Sequence, residues 1–369
     1  MWILYIGILI PLFFTLLLII KFRERTHVVE IAGLWVVSIG IIFMVKVFSE
    51  KITSMEIEYW GEYGVKIEYY EQWDEWIHQT CTTVDSEGNV STYDCSYRSY
   101  HPPYWTVITN TGNQYNISQS QFLHYSSLWK NKKFIDLKRG YYQIDGDKYE
   151  SQWNKVDDLL FPIITTHRYE NRVVNSSSIY DFLEIDTSEV KIFSYPKIHD
   201  YTCNSILSQR EIREMKEADK RLTFYNAKYG SGKEVRMWLL IFHNKPFQYS
   251  MYQEHYWKGG SKNEVVVCVG VDDTLRVEWV KCFSWSEKEN FKVNLRDSIM
   301  NQGKLNLMKT VEVMKDEVMI NYERREFKEF EYLEVEPPFY IIFLSLLSIF
   351  VLVGGMTVYI IFNQFDSRH

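Results

Sequence analysis

Two of the five cysteines have a spacing that predicts a covalent bond between them. Cys81 and Cys95 each lie seven residues from Gly88, within the turn-forming stretch Asp85-Ser86-Glu87-Gly88-Asn89. A hairpin centred on Gly88 would place the two cysteines directly opposite each other, within reach of a disulfide. The alternative is two unpaired surface thiols. Because disulfides persist in oxidising compartments, the pairing predicts that this region lies outside the cytoplasm.

Other residue patterns that could carry chemistry are incomplete. Gly230-Ser231-Gly232-Lys233 is similar to a phosphate-binding loop, but Ala227 stands where the first glycine belongs and Glu234 replaces the required Ser or Thr. The sequence has no His-Glu-x-x-His, Gly-x-Ser-x-Gly or Cys-x-x-Cys motif, so it gives no signature of a zinc site or a serine hydrolase. Three cysteines remain without an assigned partner: Cys203, Cys268 and Cys282.

Three apolar segments are long enough to cross a bilayer, which needs roughly 20 residues. They cover residues 2–20, 28–48 and 339–362. The alternative for the first is a cleaved signal peptide, but no basic region precedes it and large apolar residues fill the cleavage zone. We therefore expect an integral membrane protein with three transmembrane helices.

The short loop at residues 21–27 predicts the orientation. It carries Lys21, Arg23 and Arg25 between two closely spaced membrane segments, and such basic loops stay in the cytoplasm. The N-terminus and the long middle region would then lie outside the cytoplasm, in the periplasm or its equivalent. The C-terminus would lie inside.

The composition of the chain excludes some classes of partner. The 369 residues carry a formal net charge of −7 and no clustered basic face, so a nucleic-acid binder is not expected. Aromatic residues make up 17% of the chain, which is enough for the middle region to fold around its own core.

The first half of the middle region, residues 49–192, is predicted to be rich in β-structure. Residues 55–59 and 65–69 alternate apolar and polar side chains as half-buried strands do. Aromatic residues are dense at 73–76 and 100–105. They form either a surface that binds a partner or the core and rim of a small disulfide-linked β-module; the second interpretation is the simpler one.

The second half, residues 193–325, alternates helical and strand patterns. Ser208-Gln209-Arg210-Glu211 fits a capping box and predicts a helix from Ile212 onward. Three apolar strands follow, at 235–242, 265–271 and 275–283, the last two joined at Asp272-Asp273, and two amphipathic helices come after them. This order predicts an α/β/α sandwich, and with it a membrane-anchored α+β protein.

The second half also resembles the TPM domain, a fold of membrane-anchored extracytoplasmic proteins, over about residues 193–318. Four stretches carry the resemblance, in the order of the family's motifs: Asp200-Tyr201 with Ser205-Ile206-Leu207-Ser208, Gly259 to Val267, Asp272 to Glu278, and Asn301 to Lys304. The layout of the whole chain is similar, more loosely, to uncharacterised membrane proteins of Bacteroidales and their phages.

The resemblance to the TPM family implies a cation site, since some members bind calcium through acidic loops at one edge of the sheet. Carried onto this sequence, the candidate metal ligands are Asp200, Asp272 and Asp273, with Asn263 nearby. Oxygen ligands of this kind suit calcium. The alternative is that Asp272-Asp273 shapes a hairpin turn and that Asp200 begins another.

Three functions follow as hypotheses. The first is a non-catalytic interaction module that contacts the lipid bilayer through its helices and other membrane proteins through its outer region. The second is a metal-dependent phosphatase of the TPM type. The third, a transport component, is disfavoured because the apolar segments carry almost no internal charge.

Overall fold

The structure is a computed structural model, and it describes residues 2–22, 28–138, 146–173, 176, 182–198 and 203–366. The chain divides into two compact units. The first comprises Met1–Glu58, His167–Glu184 and Glu326–His369, and contains the membrane helices. The second comprises Tyr59–Thr166 and Ile185–Arg325, and contains the sheets.

Three long apolar helices in the first unit coincide with the expected membrane segments. The first is built from α1 (Trp2–Tyr5), the 3-10 turn Ile6–Ile8 and α2 (Leu9–Phe22). The second is α3 (Val28–Thr53), which continues five residues beyond the predicted end at Phe48. The third is α9 (Phe339–Asp366), which is numbered after the helices of the second unit. All three are long and apolar enough to cross a membrane.

The three helices pack around one apolar core. Leu18, Leu34 and Ile349 are fully buried within it. Gly7 fits closely here, since a side chain on it would lie 3.1 Å from Ile349 and 3.3 Å from Ile42. Lipid gives no hydrophobic drive for helices to associate, so close contact of this kind supplies the attraction.

A polar layer, which we call the collar, follows the end of α3 and precedes α9. Glu56 accepts hydrogen bonds from the Tyr169 hydroxyl at 2.9 Å and from the Asn171 amide at 2.7 Å. Arg172 donates to the main-chain carbonyls of Glu331 and Leu333, at 3.0 and 3.2 Å. The collar therefore ties together three chain segments, and it fixes the C-terminal end of α3 and the N-terminal end of α9 on the same side of the helices.

A six-stranded sheet forms the first part of the second unit. Its central strand, β1 (Met55–Tyr70), replaces the two short strands predicted at 55–59 and 65–69, and its pairing with β6 shifts register between Gly64 and Lys66. The other strands of the sheet, in chain order, are β6 (Tyr104–Thr109), β7 (Gln114–Asn116), β8 (Lys133–Ile135), β9 (Lys148–Gln152) and β10 (Phe161–Glu170). They run in the order β7-β6-β1-β9-β8, with β10 also paired to β1.

Helix α4 (Gln119–Trp129) packs against this sheet. It begins with a complete capping box, in which Ser118 and Gln121 each bond the other's backbone N–H. It buries Phe122 and Trp129 against Ile67, Val107 and the other apolar residues of the sheet.

The chain between β1 and β6 forms a narrow projection, which we call the aromatic ribbon (residues 73–101). It has two pairs of antiparallel strands. The pair nearer β1 is β2 (Trp73–Ile77) with β5 (Tyr97–His101), and the outer pair is β3 (Thr80–Val84) with β4 (Val90–Asp94).

The predicted disulfide between Cys81 and Cys95 is present and closes the outer pair, with 5.8 Å between the Cα atoms. The predicted register was wrong, because Cys81 lies opposite Tyr93 and is joined to Cys95 diagonally. The turn explains the shift. Asp85 accepts the backbone N–H groups of Glu87 and Asn89 at 2.9 and 2.8 Å, which makes a five-residue loop centred one residue earlier than expected.

A mixed four-stranded sheet forms the second part of this unit. Its strands are β11 (Ile206–Ser208), β12 (Arg236–His243), β13 (Glu264–Val271) and β14 (Val277–Ser284). The first three run parallel, and β14 returns antiparallel to β13 as the sequence predicts. Every residue of β12 and β13 is buried, which matches their almost continuous apolar sequence.

Helices pack against this sheet. Helices α5 (Met215–Lys233), α7 (Glu289–Met300) and α8 (Leu307–Asn321) contribute to the core that includes Met237, Val267 and Val269. Helix α6 (Gln248–Tyr256) supplies Tyr249 to a second core, which includes Trp238, Phe242 and Cys268.

The capping box predicted at residues 208–211 does not form. Ser208 belongs to β11, where its hydroxyl bonds the backbone of Arg210 and lies 3.2 Å from His243, and the helix begins later, at Met215. The sheet therefore takes the residue that the local pattern assigns to a helix start.

Candidate functional site

The Asp272-Asp273 pair shapes the turn between β13 and β14. Asp272 accepts the backbone N–H groups of Thr274 and Arg276, both at 2.8 Å, and the Thr274 hydroxyl at 2.7 Å. These bonds lower the pKa of its carboxyl group. Asp273 pairs with Arg210 at 2.6 Å and with the Asn244 amide at 2.8 Å, and its pKa is also lowered. Both carboxylates are thus engaged by the chain itself.

The remaining candidate ligands do not join this turn. Asn263 precedes β13, at the end of the strand opposite to Asp272, and the eight residues between them span roughly 26 Å at the usual rise of a strand. Its side-chain amide is fully buried and donates to the carbonyl of Tyr59 at 2.7 Å. Asp200 lies outside the described residues. Across the part of the chain that the structure describes, no three His, Cys, Asp or Glu side chains are grouped to hold a metal ion.

The residues of the predicted aromatic clusters differ in their exposure. Trp105 is half-buried and packs against the core under α4, where it stacks on Tyr69 of β1 with ring centres 5.3 Å apart. In the aromatic ribbon, by contrast, Trp76 is 44% exposed and Tyr100 58% exposed. The ribbon is two strands wide and most of its residues are exposed or half-buried, so these rings do not stabilise a core.

The strand register places Trp76 and Tyr100 on one face of the ribbon. Trp76 lies opposite Arg98, and Tyr100 opposite Asp74, while Tyr97 points to the other face because side chains alternate along a strand. Arg98 and Asp74 form an ion pair of 3.5 Å between the two rings. The face therefore combines two large rings with polar groups, a composition typical of protein-binding surfaces.

The ribbon is strongly acidic for its size. Residues 73–101 contain Asp74, Glu75, Asp85, Glu87 and Asp94 against a single Arg98, so five negative charges oppose one positive charge with histidines neutral. Anionic lipid head groups would repel such a segment. The charge favours contact with a basic protein surface.

A buried polar cluster lies at the start of β12 and β13. Glu264 is 1% exposed and accepts hydrogen bonds from the Tyr195 hydroxyl, the Trp238 indole N–H at 2.8 Å and the Ser261 backbone at 2.9 Å. Burial raises the pKa of its carboxyl group, although these bonds and the nearby Arg236 act in the opposite direction. The Arg236 guanidinium is buried too and lies 4.4 Å from the centre of the Trp238 ring.

A cleft of about 820 Å³ opens between α4 and the 3-10 turn Asp157–Leu159 on one side, and α5 and α8 on the other. Its apolar lining is Tyr125, Leu128, Leu160, Pro162, Phe224 and Met308. The polar part of the lining includes five carboxylates, Lys220, Arg221 and Cys203. Cys203 is half-buried, and burial raises the pKa of its thiol. The size and mixed lining are typical of a ligand pocket.

Sequence reasoning missed this cleft. Its walls come from four separate segments of the chain, at residues 124–128, 157–162, 203–224 and 308–312, and none of them carries a motif. Sequence reasoning also did not identify the structural role of Gly230, which belongs to helix α5. A side chain on Gly230 would lie 2.6 Å from the backbone nitrogen of Gly61 in β1. Because Gly230 has no side chain, helix α5 can contact strand β1 at this point. The small size of the residue is the feature of the sequence that indicates such a contact.

Comparison with known proteins gave no match: no family model fits the chain, and neither a curated protein nor a solved structure is detectably similar to it. The resemblance to the TPM family therefore stays a prediction.

Proposed function

We propose that this protein is a membrane-anchored interaction module whose aromatic ribbon binds a basic surface on another membrane-associated protein. The exposed pair of Trp76 and Tyr100 on one ribbon face carries the proposal. Large rings exposed on a thin, covalently closed projection contribute little to folding. They offer contact area at low cost in side-chain entropy when they bind.

The membrane anchor strengthens this proposal. Three apolar helices keep the module at the bilayer, so a partner in the same membrane is met at a raised effective concentration. The basic loop at residues 21–27 and the disulfide both favour an extracytoplasmic ribbon with the C-terminus in the cytoplasm.

The TPM-like assignment of residues 193–318 is part of the proposal. The mixed sheet with helices against it is compatible with an α/β/α sandwich of the TPM type, and it would act as the rigid support of the module. No described geometry favours the phosphatase alternative.

Site-specific photocrosslinking in intact membranes tests the proposal. A benzoylphenylalanine replacing Tyr100 in the full chain should form a discrete adduct with one protein, and Trp76→Ser in the same chain should reduce that adduct at least fivefold. A probe replacing Tyr97, on the opposite face, is the matched control and should give little adduct. Both positions are exposed, so the melting temperature should stay unchanged.

Two results would contradict the proposal. One is equal adducts from the two faces, and the other is no adduct from the Tyr100 position in the native membrane. If the captured protein carries an acidic contact surface, the charge argument is wrong even though binding is real.

A further inference from the structure

The cleft between α4 and α5 has a fixed carboxylate in its wall. Asp219 lies in the lining, and its Oδ1 accepts the backbone N–H groups of Ser205 and Ile206 at 2.7 and 2.8 Å. No described residue bonds its second oxygen. Two backbone donors hold this carboxylate in place, so its free oxygen is already oriented for a ligand.

Two further carboxylates of the cleft have no ion-pair partner among the described residues. They belong to Asp158 and Glu217, which both line the cleft. Two other acids are occupied, since Asp157 pairs with Lys228 at 2.8 Å and Glu312 with Arg221 at 3.3 Å. Counting side chains of the lining alone, five carboxylates face two cations, Lys220 and Arg221. The balance favours a positively charged ligand.

The apolar walls define the rest of the ligand. The Tyr125 ring is held in place by stacking on Phe161, with 4.0 Å between ring centres. Phe224 already attracts cations, since Arg221 and Lys228 lie 5.4 and 5.3 Å from its centre. Aromatic faces of this kind accept ammonium groups and also bury methylene chains. A bare metal ion would gain nothing from such walls.

We propose that this cleft binds an organic cation, an alkylammonium group that bonds Asp219 while its apolar chain lies between Tyr125, Leu160 and Phe224. A free amine and a lysine side chain of a peptide share this chemistry. The site is separate from the aromatic ribbon, so the inference does not depend on the proposed function.

The test uses the full chain in lipid nanodiscs with n-hexylammonium as the probe. We expect saturable binding by calorimetry, and at least tenfold weaker binding of hexan-1-ol and hexanoate, which have the same chain without the positive charge. N-acetyl-lysine methylamide is the second probe: tighter binding than hexylammonium indicates a peptide side chain, and weaker binding indicates a free amine.

Cys203 provides an independent measurement of where the amine binds. Because its half-buried thiol lines the cleft, bound hexylammonium should slow its alkylation by N-ethylmaleimide at least fivefold, measured by peptide mass spectrometry. Hexan-1-ol at the same concentration should not slow the reaction.

A conservative variant locates the charge. Asp219→Asn keeps an oxygen for the two backbone N–H groups and should weaken hexylammonium binding at least tenfold, whereas Asp297→Asn, an exposed acid on α7, should have no effect. If Asp219→Asn does not fold, Glu217→Gln and the protection of Cys203 in the unaltered chain decide the question. The proposal fails if hexan-1-ol binds as well as the amine, if Cys203 is not protected, or if a folded Asp219→Asn binds normally.

Discussion

At the scale of single residues, burial sets the properties of the ionisable groups more than their neighbours in sequence do. Glu264 lies beside Asn263, which was considered as a cation ligand, yet its carboxylate is committed to three internal donors. Asp272 looks like a ligand by sequence and serves as a turn residue that bonds its own backbone. The pattern of residue types indicates oxygen ligands, but it does not show which oxygens already accept hydrogen bonds from the chain.

Glu264 should make stability depend on pH. Its pKa is raised in the folded protein above the ordinary value of 4.5, so between these two pKa values the folded state binds more protons than the unfolded state. The contribution to stability is therefore fully present below about pH 4.5 and is lost as the pH rises through the folded pKa.

Glu264→Gln should remove this contribution and reduce the fall in melting temperature between pH 4.5 and neutrality, measured by thermal denaturation in detergent. The exposed Glu278→Gln on neighbouring β14 is the control and should keep the slope of the unaltered protein. Identical slopes for all three proteins would show that Glu264 titrates normally.

At the scale of elements, patterns along the chain predicted the long apolar helices and three strands of the second half well. Strands β12, β13 and β14 were located within two residues, because long apolar runs are reliable signals of buried strands. The start of α5 was misplaced by three residues, since Ser208 pairs into the sheet instead of capping a helix. Contacts between distant segments, such as β1 against α5, have no local signal.

The contact between Gly230 and Gly61 should be sensitive to a single methyl group. Gly230→Ala would bring a carbon atom within 2.6 to 2.7 Å of the Gly61 backbone, which cannot rotate away, and we expect a loss of about 3 kcal/mol in the free energy of unfolding.

Gly232→Ala is the matched control for this variant. It lies in the same helix with no atom within 4 Å of the added carbon, so it should stabilise the protein by up to about 1 kcal/mol through helix propensity alone. Thermal melting of the two variants in the same detergent should shift in opposite directions. Equal shifts would mean that the helix and the strand are not in direct contact in solution.

At the scale of the whole molecule, three membrane helices and the disulfide were foreseeable because each depends on a strong local pattern. The orientation depends on the basic residues at 21–27 and remains a prediction. The collar was not foreseeable, since it joins segments near residues 56, 172 and 333 that no periodicity connects.

Cysteine labelling should establish the orientation. Lys216→Cys places a thiol on an exposed position of α5, and we expect a membrane-impermeant maleimide to label it in intact cells. Thr26→Cys, in the basic loop, should react only after the membrane is opened. The reverse pattern would invert the topology and place the disulfide in the cytoplasm, which would overturn the extracytoplasmic assignment.

Apolar helices lie at both ends of the middle region, and this has a consequence for its turnover. Residues 59–325 are preceded by α2 and α3 and followed by α9, so a protease that cuts this stretch once produces two fragments that are each still embedded in lipid. Release of this stretch from the membrane would need two cuts, one after α3 and one before α9. A singly cut molecule would therefore stay in the membrane, with its two halves held together by their own folded contacts.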